Sequence, residues 1–128
     1  MSAPTFRKQE RIVSTKLIET LFEKGSSHSV AAFPLRAVYM EIERQAGCAP
    51  VQVLISIPKK RFKHAVVRNR VKRQIREAYR HHKDPIVGKI QEGRQLLIAF
   101  IWLSDQHLAT AVIEKRVSSL IAQIAKKI

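Results

Sequence analysis

Apolar residues recur at two different periods along the chain, and the changes between them predict the order of its secondary structure. Spacings of three and four residues predict helices, whereas alternation and short apolar runs predict strands. We predict helices at 14–24, 65–82 and 106–127 and strands at 32–42, 51–57 and 95–102. One more strand fits between Ser29 and Ile42, and Asp84-Pro85 can open a short helical turn. The order α-β-β(-β)-α-β-α predicts an α+β fold in which helices pack on a small mixed sheet.

The predicted strands differ in how their two faces are buried. Pro34 places the first strand at a sheet edge or marks where the strand starts. The second strand, 51–57, carries Leu54 opposite its other apolar residues, so we expect it to be central. The third, 95–102, is apolar on both faces and is typical of a buried strand. In the first strand, one face is expected to hold Leu35, Ala37 and Tyr39, and the other Arg36 and Val38.

The helices carry their own start and stop signals. Ser14 is a plausible N-cap for the first helix, and Gly25 can end it. The helix at 65–82 has two chemically opposite faces. Its apolar face comprises Val67, Val71, Ile75, Ala78 and Tyr79. Its polar face comprises Asn69, Lys72, Arg73, Arg76 and Arg80.

Positive charge is concentrated on and around this helix. The chain has 24 Lys and Arg against 10 Asp and Glu, and the segment Lys59–Lys83 alone holds 11 basic residues and one acid, Glu77. A solvated helix face with ion pairs would need more acids as partners. Such a segment suits a phosphate backbone, since every neutralised phosphate releases counterions. A membrane surface is disfavoured because the apolar face lacks Trp, Phe and Leu anchors.

Length and composition predict one globular domain spanning 1–128, with residues 1–5 flexible. The single cysteine, Cys48, forms no internal disulfide, which suits a reducing cytoplasm. It stands in a turn-like stretch and is expected to be an ordinary loop residue. No apolar run has the length of a membrane span, and the N-terminus lacks a signal-peptide pattern. We therefore expect a cytoplasmic protein with no membrane partner.

The acidic and histidine residues do not form a pattern typical of a nuclease. Metal-dependent hydrolysis needs carboxylates that can share an ion, and only Glu41 and Glu43 are close, on what resembles an exposed strand end. His81 and His82 are consecutive on a helix and point in different directions. His64 could donate to a phosphate or could be a plain loop residue. The sequence thus predicts no catalytic residue and no protein-bound metal.

The residues of the basic helix resemble those of a known family. Arg68-Asn69-Arg70, Lys72-Arg73 and the run 75–79, preceded by the strand end at 55–60 with its paired lysines, are similar to the signature of the bacterial ribonuclease P protein component. The resemblance is sharp between Ser56 and Arg80 and spans roughly Phe6 to the C-terminus. It implies a ribosomal-protein domain-2-like fold with a left-handed β-α-β crossover, although such crossovers are usually right-handed.

The resemblance also implies function. The family's protein assists a catalytic RNA that removes the 5′ leader of precursor tRNA with Mg²⁺ held mainly by the RNA, and it needs no protein partner. Carried over, the contacts to the catalytic RNA fall on Lys59, Lys60, Arg68, Asn69, Arg70, Lys72, Arg73 and Arg76. The leader contacts, in a cleft between the first helix and the sheet, fall on Phe6, Arg7, Arg11, Ile18, Phe22, Arg36 and Tyr39.

Several alternatives stay open at this point. Arg68 could cap the helix start, and Phe22 could be a core residue. Ile18 stands where many family members carry an aromatic residue, and the strand register could differ by a residue or two. A ribosomal or general RNA-binding protein shares the basic face and is the main rival. A protein-only nuclease and a DNA-binding helix are weaker, the latter because no helix-turn-helix partner precedes the basic helix.

Overall fold

The computed structural model describes residues 10–12, 15–23, 27–45, 47 and 49–128. The predicted cap Ser14, the stop signal Gly25, Cys48 and residues 1–5 lie outside this part. Within it, the α+β order is confirmed, with one added strand and one short added helix. The elements are α1 (Thr15–Phe22), β1 (His28–Ala32), β2 (Leu35–Glu43), β3 (Val51–Ser56), α2 (Ala65–His82), α3 (Asp84–Val87), β4 (Arg94–Trp102) and α4 (Thr110–Lys127).

The four described strands form one mixed sheet in the order β1-β2-β4-β3. β1 pairs antiparallel with β2, β2 antiparallel with β4, and β3 parallel with β4. β1 is the additional strand that the sequence allowed, and it begins at His28, one residue before the range Ser29 to Ile42 in which it was expected. Pro34 lies in the turn before β2, so it marks a strand start.

The prediction that β3 is central is wrong. β3 is the last of the four described strands in the sheet, and among the described residues only β4 pairs along its length. Its two apolar faces have another cause: both are covered. Val51 and Val53 pack in the main core, while Leu54 packs in a second cluster on the other face. An isolated parallel bridge from Arg11 to Val53 also covers part of the free edge.

The two faces of the sheet are covered unequally. The main core lies between the sheet and helices α2 and α4, and its largest fully buried side chains include Trp102, Tyr79 and Phe100. The other face carries a smaller cluster under α1, with Leu21 and Ala99 fully buried. α1 has only eight residues, about 12 Å of helix. Among the described residues, α1 therefore covers only part of this face.

α2 occupies the predicted range, and Val71, Ile75, Ala78 and Tyr79 are its buried residues. α2 and α3 connect the parallel neighbours β3 and β4, which makes this connection a β-α-β crossover. Its left-handed sense stays a prediction. α4 begins at Thr110 and not at Gln106, and its residue Ile113 is fully buried.

Candidate nucleic-acid interface

The polar face of α2 and the turn before it form one basic surface, here called the cationic surface. Asn69, Arg70 and Arg73 are exposed on the helix. They project away from the buried residues because the helix places them about half a turn from Ile75. Lys59 and Lys60 are exposed in the turn after β3, which is closed by a hydrogen bond from the Arg61 amide to the Pro58 carbonyl at 3.0 Å. This surface can meet a polyanion without disturbing the core.

Arg68 differs from its neighbours because its guanidinium folds back onto the protein. Its Nη1 donates to the carbonyl oxygens of Phe62 at 2.7 Å and Lys63 at 3.1 Å. The N-cap residue, His64, makes no side-chain capping hydrogen bond. Arg68 thus ties the loop 62–64 to the first turn of α2. The geometry favours the structural alternative for this residue over a direct phosphate contact.

Arg11, Lys72 and Arg76 meet in a groove at the free edge of β3, here called the edge groove. Its volume is about 160 Å³, and Val53, Leu54 and Ile55 contribute to its walls. Burial lowers the pKa of the Arg76 guanidinium, and the positive charges of Arg11 and Arg73 lower it further. The resemblance assigned Arg11 to the leader and the other two residues to the catalytic RNA. The structure brings all three together.

A second concavity, here called the cleft, lies between α1 and the open face of the sheet. Its volume is about 350 Å³, and it is lined by Phe22, Glu23, Ser27, His28, Ser29, Arg36, Val38 and Ile101. Phe22 is 46% exposed, so its ring is available at the rim and is not a core residue. Arg36 is exposed on the same face, whereas Ile18 is half-buried against the small cluster. An aromatic ring and a cation beside an apolar floor can hold a single-stranded nucleic acid.

The placement of Tyr39 in the cleft is wrong. The alternation of β2 puts Arg36 and Val38 on the cleft side and Tyr39 on the opposite face, in the main core, where it is 4% exposed. Its ring packs against His28 with centroids 5.6 Å apart, and burial raises its phenol pKa. Of the two alternatives on this strand, the register selects Arg36. Phe6 and Arg7 lie outside the described residues.

His28 and Ser29 line the cleft, although the sequence did not identify them as candidate cleft residues. β1 begins at His28 and carries one buried residue, Val30, so its alternation is a weak signal. Ser29 pairs with Val38 and shares its cleft face, whereas His28 pairs with Tyr39, and its ring packs against Tyr39 at the border of the cleft. Only the sheet reveals that these residues border the cleft.

The histidines near the end of α2 diverge as expected. His82 Nε2 lies 3.0 Å from Glu114 Oε1 on α4, while His81 is exposed beside Arg80. In the described ranges, no group of three or more His, Cys, Asp or Glu could hold a metal ion. None of the helices in that part of the chain is sufficiently long and apolar to cross a bilayer.

The fold and these surfaces together define a basic α+β protein with a cationic amphipathic helix on one side of its sheet and a cleft on the other. A family model described as Ribonuclease P matches residues 6–124. The chain belongs to the ribonuclease P protein family.

Individual relatives agree with this assignment. The ribonuclease P protein component of Porphyromonas gingivalis strain W83 is 39% identical over 97% of this chain and 90% of its own length. That of Chlorobium phaeobacteroides is 35% identical over 85% of this chain and 70% of its own length. The chain is thus similar to these proteins over most of its sequence.

Solved structures resemble the fold. An RNase P protein mutant of Staphylococcus aureus with defective mRNA degradation activity superposes with a TM-score of 0.70 at 26% identity, over 93% of this chain and 90% of that one. The RNase P protein of Thermotoga maritima gives a TM-score of 0.63 at 18% identity, over 93% and 97%. The second likeness supports the fold alone.

Proposed function

We propose that this chain is the protein subunit of ribonuclease P, an endoribonuclease ribonucleoprotein that removes the 5′ leader of precursor tRNA. Its partners are the catalytic RNA and the precursor tRNA. The observation that carries the proposal is the pairing of two surfaces on one small domain: the cationic surface of α2 and the cleft beside α1. Family membership supports the same assignment.

The cationic surface is the part suited to the catalytic RNA. Arg70 and Arg73 are exposed and can reach phosphates, while Asn69 can hydrogen-bond the RNA backbone. Lys59 and Lys60 extend the surface beyond the helix. These exposed cations suit the phosphate backbone of a structured RNA, which proteins recognise largely by its shape and its phosphates.

The cleft is the part suited to the single-stranded leader. Phe22 offers a ring on which a base can stack, and Arg36 offers a cation for the adjoining phosphate. Neither contact reads a base edge, so the cleft would accept leaders of different sequence. This is the behaviour required of a subunit that serves many precursor tRNAs.

The chemistry belongs to the RNA in this proposal. Mg²⁺ prefers oxygen ligands, and the cationic surface presents ammonium and guanidinium groups, so these residues do not fit a Mg²⁺ ion held by the protein. The protein's part is to neutralise phosphates and to hold the leader. A lower demand for Mg²⁺ follows, since protein cations replace part of the counterion atmosphere.

The test is reconstitution with the cognate catalytic RNA. We expect no cleavage of precursor tRNA by the purified protein alone, and 5′-leader removal at lower Mg²⁺ when protein is added to the RNA. Leader removal by RNA-free protein, at a specific activity that does not change between preparations, would overturn the assignment of chemistry to RNA. Absence of any effect on the RNA reaction would favour a general RNA-binding protein.

A further inference from the structure

We propose that Arg11, Lys72 and Arg76 form a single binding site for an RNA phosphodiester, and that the Glu10–Lys83 ion pair positions Arg11 in it. The inference rests on the proposed function and deepens it. It names an acidic residue, Glu10, as necessary for binding a polyanion. It also joins residues that the family resemblance divided between two different RNAs.

An ion pair with Lys83 holds Glu10 in place. Lys83 Nζ donates to both carboxylate oxygens of Glu10, at 3.0 and 3.1 Å. Glu10 is 8% exposed, and a carboxylate this buried is usually paired, as Glu10 is with Lys83. Glu10 also lies near the Tyr79 phenol, whose pKa is raised first by burial and then by this carboxylate. The ion pair therefore attaches the segment 10–12 to the C-terminal end of α2.

The other end of the segment 10–12 is attached to β3. The Ile12 amide donates to the Val53 carbonyl at 3.1 Å, and Arg11 bridges to Val53 in parallel. The Ile12 side chain is 4% exposed in the small cluster under α1. Arg11 is thus the exposed residue between two buried neighbours, and the backbone on both sides of it is fixed.

These two attachments place Arg11 in the edge groove. The segment lies along the free edge of β3, and α2 presents Lys72 and Arg76, one turn apart, toward the same edge. Burial lowers the pKa of the Arg76 guanidinium most, and repulsion from the positive charges of Arg11 and Arg73 lowers it further. A phosphodiester would relieve this repulsion, because charge-assisted hydrogen bonds to phosphate oxygens are strong. The edge groove, about 160 Å³, has room for a phosphate group.

Replacing Glu10 tests the proposal, because positioning and diffuse electrostatic attraction predict opposite changes in RNA affinity. Glu10→Gln removes a negative charge from a basic protein, so diffuse electrostatic attraction predicts equal or tighter RNA binding. Loss of positioning predicts weaker binding, on the order of three- to ten-fold, with the slope of log affinity against log salt reduced by about 0.7–0.9. Glu41→Gln is the matched control, because it removes the same charge from a carboxylate that is also ion-paired, in this case with Arg94 at 2.9 Å.

A double-mutant cycle separates positioning from general destabilisation. If Glu10 acts through Arg11, Glu10→Gln should cost nothing further in an Arg11→Gln background. Equal losses in both backgrounds, or a Glu10→Gln affinity no weaker than that of Glu41→Gln, would overturn the proposal. If Glu10→Gln fails to fold by circular dichroism, the exchange of Glu10→Lys with Lys83→Glu decides instead. Restored binding supports positioning, and a folded protein without restored binding overturns it.

Three RNA ligands distinguish the source of the phosphate. A loss seen with the isolated catalytic RNA assigns the phosphate to that RNA. A loss seen with precursor tRNA but not with mature tRNA assigns it to the leader. Wild-type protein is measured in parallel: if it neither binds the catalytic RNA nor assists cleavage, the proposed function fails. If it does both and the variants match the wild type, only the present inference fails.

Discussion

The cationic surface and the cleft are built on opposite sides of the sheet, and their construction differs. α2 is 18 residues long, and its apolar face is buried from Val71 to Tyr79, so helical periodicity places its basic residues on the opposite, exposed face. In the described part of the chain, the cleft lies where the eight residues of α1 do not cover the sheet. One surface is made by what a helix presents. The other is made by what a helix leaves uncovered.

The cationic surface and the cleft also differ in the physical forces through which each would bind RNA. The cationic surface acts through charge, which operates over about a Debye length and weakens with salt. The cleft combines one ring, Phe22, and one cation, Arg36, with half-buried Ile101, so its main contribution is short-range stacking and exclusion of water. We therefore expect variants in the two regions to fail in different assays.

The largest expected effect is on the free energy of unfolding, and it compares how strongly packing holds α2 and α1 on the sheet. Ile75 is fully buried under α2, and Ile75→Ala should lower the free energy of unfolding by about 2–5 kcal/mol. Ile18 on α1 is only half-buried, so Ile18→Ala should cost about 1 kcal/mol. Urea denaturation of both variants measures the difference. Equal losses would show that α1 is anchored as firmly as α2 and that the comparison is mistaken.

An intermediate effect is expected at the rim of the cleft. Phe22→Ala should weaken binding of precursor tRNA, with little change for mature tRNA, because stacking of one leader base contributes about 1–3 kcal/mol. Since Phe22 is 46% exposed, the fold should tolerate the change. Affinity measurements with both RNAs, with circular dichroism as the folding check, give the answer. Equal weakening for the two ligands would remove Phe22 from leader binding.

The smallest effect is expected for a single exposed cation. Arg73→Ala should reduce the slope of log affinity for the catalytic RNA against log salt by about 0.7–0.9, because one phosphate contact is lost. Lys126→Ala is the control, since Lys126 is equally exposed but lies near the end of α4. The comparison is a salt titration of wild type and both variants. If Lys126→Ala costs as much, binding is diffuse attraction to net charge.

The sequence analysis succeeded where a pattern is local. α2 was predicted to the residue because its apolar and basic positions both repeat at helical spacing. The alternation of Leu35, Ala37 and Tyr39 against Arg36 and Val38 was also confirmed. It failed for the position of β3, because strands at the edge and at the centre have the same pattern when both faces are covered. It failed for Tyr39, whose chemistry suited the cleft but whose alternation assigned it to the other face.

What the sequence by itself determined is the content of the surfaces: an amphipathic basic helix, the order of the elements and the family signature at 56–80. These properties depend on neighbours along the chain, where spacing alone fixes which residues share a face. The tertiary structure decided which distant residues meet. Glu10 reaches Lys83 across 73 positions, and Arg11 joins Lys72 and Arg76 only because the segment 10–12 lies against the edge of β3. Such contacts depend on strand order and on how the helices pack on the sheet. Both result from many weak interactions across the whole chain, and these do not produce a periodic pattern in the sequence.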